Sequence, residues 1–274
     1  MNEFFRKNKL ALAGTLIVLA LTIVAIFGPW LAPYDPAAQR LPDRLQGPSW
    51  QHPFGNDELG RDILSRILLG TRISMRVGAT VVLLSVIAGL LIGGFAGYIG
   101  GKIDTFVTVL AINSLMAFPG ILLAIALVAF LGPGIDRLIF ALTIISWVGY
   151  ARLARGQVLK VKTLEFVEGA RALGASSPRI FISHILPNII QPVLIQASIG
   201  MAVAILSEAS LSFLGLGITP PTPSWGSMLN DARNHLFDAP HMVIFPSIAL
   251  VVTVLSFNFL GDALRDWLDP RNLG

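Results

Sequence analysis

Charged residues fall in blocks along this 274-residue chain, and long apolar runs separate them. Runs free of Asp, Glu, Lys and Arg extend from Leu10 to Tyr34, Val77 to Gly101, Thr105 to Ile135, Leu138 to Ala151, Ile185 to Ser207 and Met242 to Gly261. A bilayer core of about 30 Å takes roughly 20 apolar residues in a helix, so the pattern predicts an all-α integral membrane protein with six transmembrane helices. The third run is longer than a crossing needs and is broken by Pro119. The fourth is the shortest, reaching only about 21 Å at about 1.5 Å per residue. It must extend through Asp136 and Arg137 at one end and Arg152 and Arg155 at the other, with the arginines reaching back to the interface. Pro119, Pro192 and Pro246 lie inside the third, fifth and sixth runs, where each removes a backbone donor and favours a kink.

Residues 35–76 are polar, charged and Pro-containing, unlike the apolar stretch that begins at Val77. They predict an external segment without a core of its own. Within it, Glu58 to Leu69 reads as an amphipathic helix with Leu59, Ile63, Leu64, Ile67 and Leu68 on one face and Gly70 as its stop. Asp57–Arg61 and Asp62–Arg66 have the spacing of helical ion pairs. Such a helix rests at the outer interface or packs on its own bundle. The chain therefore divides into an anchor helix plus external segment (1–76), a five-helix core (77–265) with an inner loop at 152–187, and a tail (266–274).

Composition narrows the function classes. Apolar residues make up 54% and charged residues 13%, about half the share of a soluble domain, which excludes intrinsic disorder and argues against a soluble enzyme. There is no cysteine, and His52, His184, His235 and His241 are scattered, so disulfides and thiolate metal sites are out and no HExxH-type spacing exists. No nucleic-acid motif is present. Arg6, Lys7 and Lys9 precede the first run as in a secretory signal, but the run is too long and no small-x-small site follows, so it reads as a retained helix. With the N-terminus inside, the inner pieces (1–9, 102–104, 152–184, 262–274) hold twelve Lys/Arg against seven Asp/Glu, and the outer pieces (35–76, 136–137, 208–241) hold eight against nine. That bias has the positive-inside sign and predicts cytoplasmic termini.

Few residues carry candidate chemistry. Gly89, Gly93, Gly97 and Gly101 form a four-residue stripe that lets a backbone approach closely, either from the same chain or from a partner or sliding helix. Gly101-Lys102 does not complete a GxxxxGK[ST] nucleotide loop, because Ala96 and Ile103 stand at its other positions. The chain is thus expected to bind no cofactor, to be no enzyme, and to need an external energy source for active transport. Glu208 is an acid flanked by uncharged sequence, which fits either a pathway or gating role or a solvated or paired structural acid. Met116 and Pro119, at the break in the third run, are further pathway or gate candidates.

The inner loop is the most informative stretch. Thr163 is placed to cap a short helix whose first turn holds Glu165 and Glu168, and Gly174 is placed to end it. Ser177-Pro178 reads as the start of a second helix. Phe166, Val167, Ala170 and Leu173 give the first helix an apolar face. Such a helix fits the groove of a soluble partner or rests on lipid headgroups.

Glu168-Gly169-Ala170, then Gly174, then His184-Ile185-Leu186-Pro187 resembles the EAA motif of bacterial ATP-binding-cassette (ABC) importer permeases. Gly169 departs from its usual Ala and His184 from its usual Ile. Three more stretches resemble the dipeptide/oligopeptide/nickel branch. They are His52-Pro-Phe-Gly-Asn-Asp-Glu-Leu-Gly-Arg-Asp62 (Asn56 where Thr is usual) with Ser65, Arg66, Gly70, Arg72 and Ser74; Leu211 to Gly217 with Pro220, Pro221, Pro223 and Trp225; and Asn258 to Pro270. The resemblance implies the type I importer permease fold and the C-type subunit of a permease pair in the bacterial inner membrane. It implies transport of dipeptides or oligopeptides, or alternatively of glutathione or a nickel complex. A second homologous permease, two ATPases that use ATP and Mg, and an extracytoplasmic binding protein would be its partners, with lipid around it. Glu165, Phe166, Glu168, Gly169, Ala170, Arg171, Leu173, Gly174, Leu186 and Pro187 would form the ATPase-coupling surface. A different class, an ion-gradient-driven transporter, would show several acids at mid-depth.

Overall fold

The computed structural model describes residues 8–268. Arg6, Lys7, Pro270 and the tail from 269 onward lie outside the described residues. Helix α1 spans Lys9–Leu31, α2 Ile63–Ile99, α3 Gly101–Met116, α4 Gly120–Leu131, α5 Ile135–Val161, α6 Glu165–Ala172, α7 Ser177–Phe213, α8 Trp225–Ala232 and α9 His241–Leu268. Among the described residues five helices are long and apolar enough to cross a membrane, and six spans result if α3 and α4 count as one. The fourth run reaches across by the expected extension, from Ile135 to Val161.

Two expectations are corrected. The separate interface helix at 58–69 does not form: α2 begins at Ile63 and continues through position 76 into the membrane. Asp62 sets that start, its carboxylate accepting from the Ser65 N–H at 2.8 Å. Charge ends an apolar run without ending a helix, because Arg66 is met by Asp57 at 3.4 Å and Asp231 at 3.5 Å while Arg72 and Arg76 face outward. Asp62 therefore serves as a cap and pairs with His52 instead of Arg66. Gly70 stops nothing; it lies inside α2 against the buried Trp225. The Asp57–Arg61 pair does form at 2.6 Å, on the turn ahead of the helix. The second correction concerns Pro119. It caps α4 rather than kinking one span, and α3 and α4 diverge by 84°.

The central core is built by α2, α4, α5 and α7, with Val77, Val81, Val128, Leu138, Ala141 and Leu211 fully buried. α5 lies directly along α2. A side chain at Gly89 would meet Tyr150, at Gly93 the Ala151 backbone and at Gly97 Arg155, so three positions of the glycine stripe seat α5 within the same chain. Gly101 is open on all sides and follows Gly100, whose φ of 74° ends α2. α1 covers α2 and α9 from outside, with Gly14 against Phe259, and leaves most of its surface apolar and exposed for lipid.

The bundle has two distinct ends. At one, residues 34–62 fold over α8 and the start of α9. Arg61 meets Asp231 at 3.2 Å, Phe54 stacks on Phe245 at 4.0 Å, and His241 meets the Asn56 carbonyl at 3.1 Å. On the turn after α8 the His235 ring holds the Asp238 carboxyl below the usual carboxylate range. At the other end, α6 and the start of α7 pack on α5; Asn8 bonds Asp266 and Gln191 of α7 bonds the Leu268 carbonyl, so both ends of the described chain lie at this end of the bundle.

Candidate functional site

The α5–α7 loop forms a seated surface helix. Leu164, in extended backbone, precedes α6 and offers no side-chain cap; Thr163 instead donates its hydroxyl to the Lys160 carbonyl at 3.0 Å. At the start of α7 Ser176, in extended backbone, holds the N-cap position without a side-chain bond, with Pro178 in the first turn, one residue from the position expected. α6 ends as Gly174 requires. At φ 82° its N–H reaches the Arg171 carbonyl at 3.0 Å, and the Ala175 N–H reaches Ala170 at 3.1 Å, which completes a Schellman closure.

The expected apolar face of α6 divides in two. Val167 is fully buried against Val158, Val161, Ile180, Phe181 and Ile185, with Ala170 beside it. Phe166 and Leu173 point away, Leu173 with 90% of its surface exposed. Glu165, Glu168, Gly169, Arg171 and Gly174 are exposed with them, and none of the three charged groups has an ion-pair partner among the described residues. Leu186 is half-buried under α6 and Pro187 is exposed at its edge. The ten predicted coupling positions are therefore gathered at one end of the bundle, most on an outward surface with two apolar anchors and unpaired charge.

That surface is fastened to the core. Arg155 on α5 holds Asp104 on α3 with two bonds, at 2.5 and 2.8 Å, and Lys162 reaches the Gly97 carbonyl at 2.8 Å. Phe181, in a widened turn of α7, stacks on Phe95 of α2 at 4.7 Å and meets Tyr98 edge-on at 5.5 Å. α6 is thus seated on α5 and α7, which are in turn joined to α2 and α3.

The pathway candidates separate. Glu208 is not solvated where a helix emerges: α7 continues to Phe213, and the carboxylate is fully buried, accepting from Ser74 on α2 and Ser212 on α7, both at 2.7 Å. It is a clasp between two helices. Met116 is exposed and lines a hollow of about 260 Å³ with Phe118, Gly120, Leu123, Ile145 and Gly149, beside the Pro119 break. A search for charge passes over Ser146, Tyr150 and Gln196, neutral polar residues at mid-helix; uncharged polarity inside an apolar run is the signal that finds them. No group of metal ligands occurs among the described residues.

The comparisons with known proteins bear on the whole of this. Residues 89–273 match the family described as binding-protein-dependent transport system inner membrane component, and residues 3–48 match the N-terminal TM domain of oligopeptide transport permease C. The chain belongs to this family of ABC importer permeases. The permease is 48% identical over 271 residues to the glutathione transport system permease protein GsiD of Escherichia coli O157:H7 and to that of Shigella boydii serotype 4. The match covers 98% of this chain and 89% of each relative. The Shigella dysenteriae protein is 47% identical over the same length. The permease is accordingly a multi-pass protein of the inner membrane, of the dipeptide/oligopeptide/nickel type, and works with ATPases and a substrate-binding protein.

Proposed function

We propose that this permease carries small peptides inward as one half of a heterodimeric pore, with a second, homologous permease as the other half. Two ATPase subunits grip the two permeases from the cytosol, and an extracytoplasmic binding protein delivers the cargo. The chain hydrolyses no nucleotide itself; ATP and Mg belong to the partners. The α6 end and both termini face the cytosol.

One observation carries the coupling claim: α6 is anchored inward by Val167 yet leaves Phe166, Leu173, Glu165, Glu168 and Arg171 unpartnered outward. An apolar pair ringed by unpaired charge is the dress of a short helix that docks in a groove. Closure of the ATPases would move α6, and Phe181 and Arg155 would pass that movement to α2 and α3, switching the pore between its two openings. Glutathione is the specific second cargo, favoured by the named function of the 48% identical relatives and by its being a peptide itself.

The test is uptake of a labelled dipeptide and of labelled glutathione, in separate assays, by cells carrying the complete transporter. Glu168→Lys combined with Gly174→Pro is expected to abolish uptake of whichever cargo is carried while the protein remains in the membrane at its normal level. Normal uptake by that variant would remove the docking role from α6.

A further inference from the structure

Halfway along the bundle, Gly149 of α5 separates two hollows. One is the apolar hollow beside Met116 and Gly120. The other, about 140 Å³, lies between α2, α5 and α7 and is lined by Val82, Ser146, Tyr150, Gln196 and Gly200. The depth is given by the numbering. Gly149 stands beside the centre of Ile135–Val161, Gln196 beside that of Ser177–Phe213, and Val82 beside that of Ile63–Ile99.

The polar groups of this second hollow are short of partners. The Ser146 hydroxyl and the Gln196 carboxamide have no hydrogen bond to another described residue, and the Tyr150 hydroxyl reaches only the Gln196 carbonyl, at 3.5 Å. At bilayer mid-depth such groups persist where they line water or meet a ligand, not where they face hydrocarbon. Gly149 is exposed, with nothing within 4 Å of where its side chain would begin, so the helix face between the hollows is open. α5 is also the least apolar of the long helices.

We propose that Ser146, Gly149 and Tyr150 of α5, with Gln196 of α7, form a peptide-contact site on the translocation path. The inference rests on the peptide reading above and deepens it. Hydroxyl and carboxamide groups donate and accept, as a peptide amide does, so the polar hollow exchanges hydrogen bonds with the amide backbone. The apolar hollow across Gly149 takes a side chain. Neutral lining suits a passage site, where cargo must be held weakly enough to leave.

The absence of cysteine from the chain makes the test clean. Gly149→Cys and Gln196→Cys are made singly, with Ile248→Cys on the exposed face of α9 as the lipid-side control. Membranes carrying the complete assembly, binding protein and ATP are treated with a charged methanethiosulfonate reagent, alone or with Ala-Phe or glutathione. Thiols at 149 and 196 are expected to react roughly tenfold faster than at 248, since the reagent needs water to reach them. Ala-Phe is expected to slow them, and slowing by glutathione as well supports the same amide contact. Labelling no faster than at 248 means a face covered by lipid or by the partner permease, and overturns the site; fast labelling that neither peptide slows overturns it too. Uptake by the unsubstituted assembly separates the two readings. Absence of uptake of both compounds removes the peptide assignment, whereas uptake without protection removes only this site. As a second check, Gly149→Trp fills both hollows and should lose uptake while the ATPases still copurify, whereas Ile248→Trp on the exposed face of α9 should keep it; normal uptake by Gly149→Trp overturns the site.

Discussion

The Glu208 carboxylate joins two helices through two serine hydroxyls, and nothing else in the membrane region of the described chain shows a buried acid so enclosed. Glu208→Ala takes from the buried Ser74 and Ser212 hydroxyls the acceptor of their protons, leaving Ser212 only the Ile218 N–H it accepts, at a cost of about 1–3 kcal/mol for each unsatisfied donor. The thermal midpoint of the detergent-solubilised permease is expected to fall for Glu208→Ala and to fall less for Glu208→Gln, which keeps an acceptor. Equal midpoints for all three would contradict the clasp. Gly169 is the opposite case. A side chain there meets nothing within 4 Å, so Gly169→Ala should stiffen α6 by about 0.5–1 kcal/mol and leave uptake intact. Loss of uptake in that variant would mean the docked partner lies closer to position 169 than its open surface implies.

At the scale of elements, α6 is too short to be helical alone and owes its shape to its seat and its closure. The Phe181 ring is the point where that seat meets α2. Phe181→Ala removes a buried aromatic group, at about 3–5 kcal/mol, and should lower both thermal stability and uptake. An unchanged uptake rate would show that motion leaves α6 by another route. Legibility in the sequence obeys the same logic. The six apolar runs are readable because hydrocarbon demands continuous apolarity, and the end of α6 is readable because Gly174 needs positive φ. The start of α2 is not, because Arg66 is neutralised by Asp57 and by Asp231, far away in the chain. The division of the α6 face is only half readable: at about 100° per residue Phe166 and Leu173 share one stripe and Val167 stands off it, and packing alone decides which of the two is buried. The mid-depth polar residues escape a search built on charge, since hydroxyls and amides do not interrupt an apolar run.

Across the whole molecule, the two ends differ in kind. The end with residues 34–62 is knitted shut by the Asp57, Arg61, Arg66 and Asp231 network, while the α6 end presents unpaired charge and bare apolar side chains. One end is finished and the other awaits something. Under the proposed function that something is the motor. The direct measurement is a photo-activatable residue at Leu173, the most exposed apolar side chain of α6, in membranes holding the complete transporter. Illumination is predicted to join the permease to an ATPase subunit, with a yield that changes when a non-hydrolysable ATP analogue closes the pair. Adducts only to lipid or to the extracytoplasmic binding protein would contradict a coupling role for this end of the bundle.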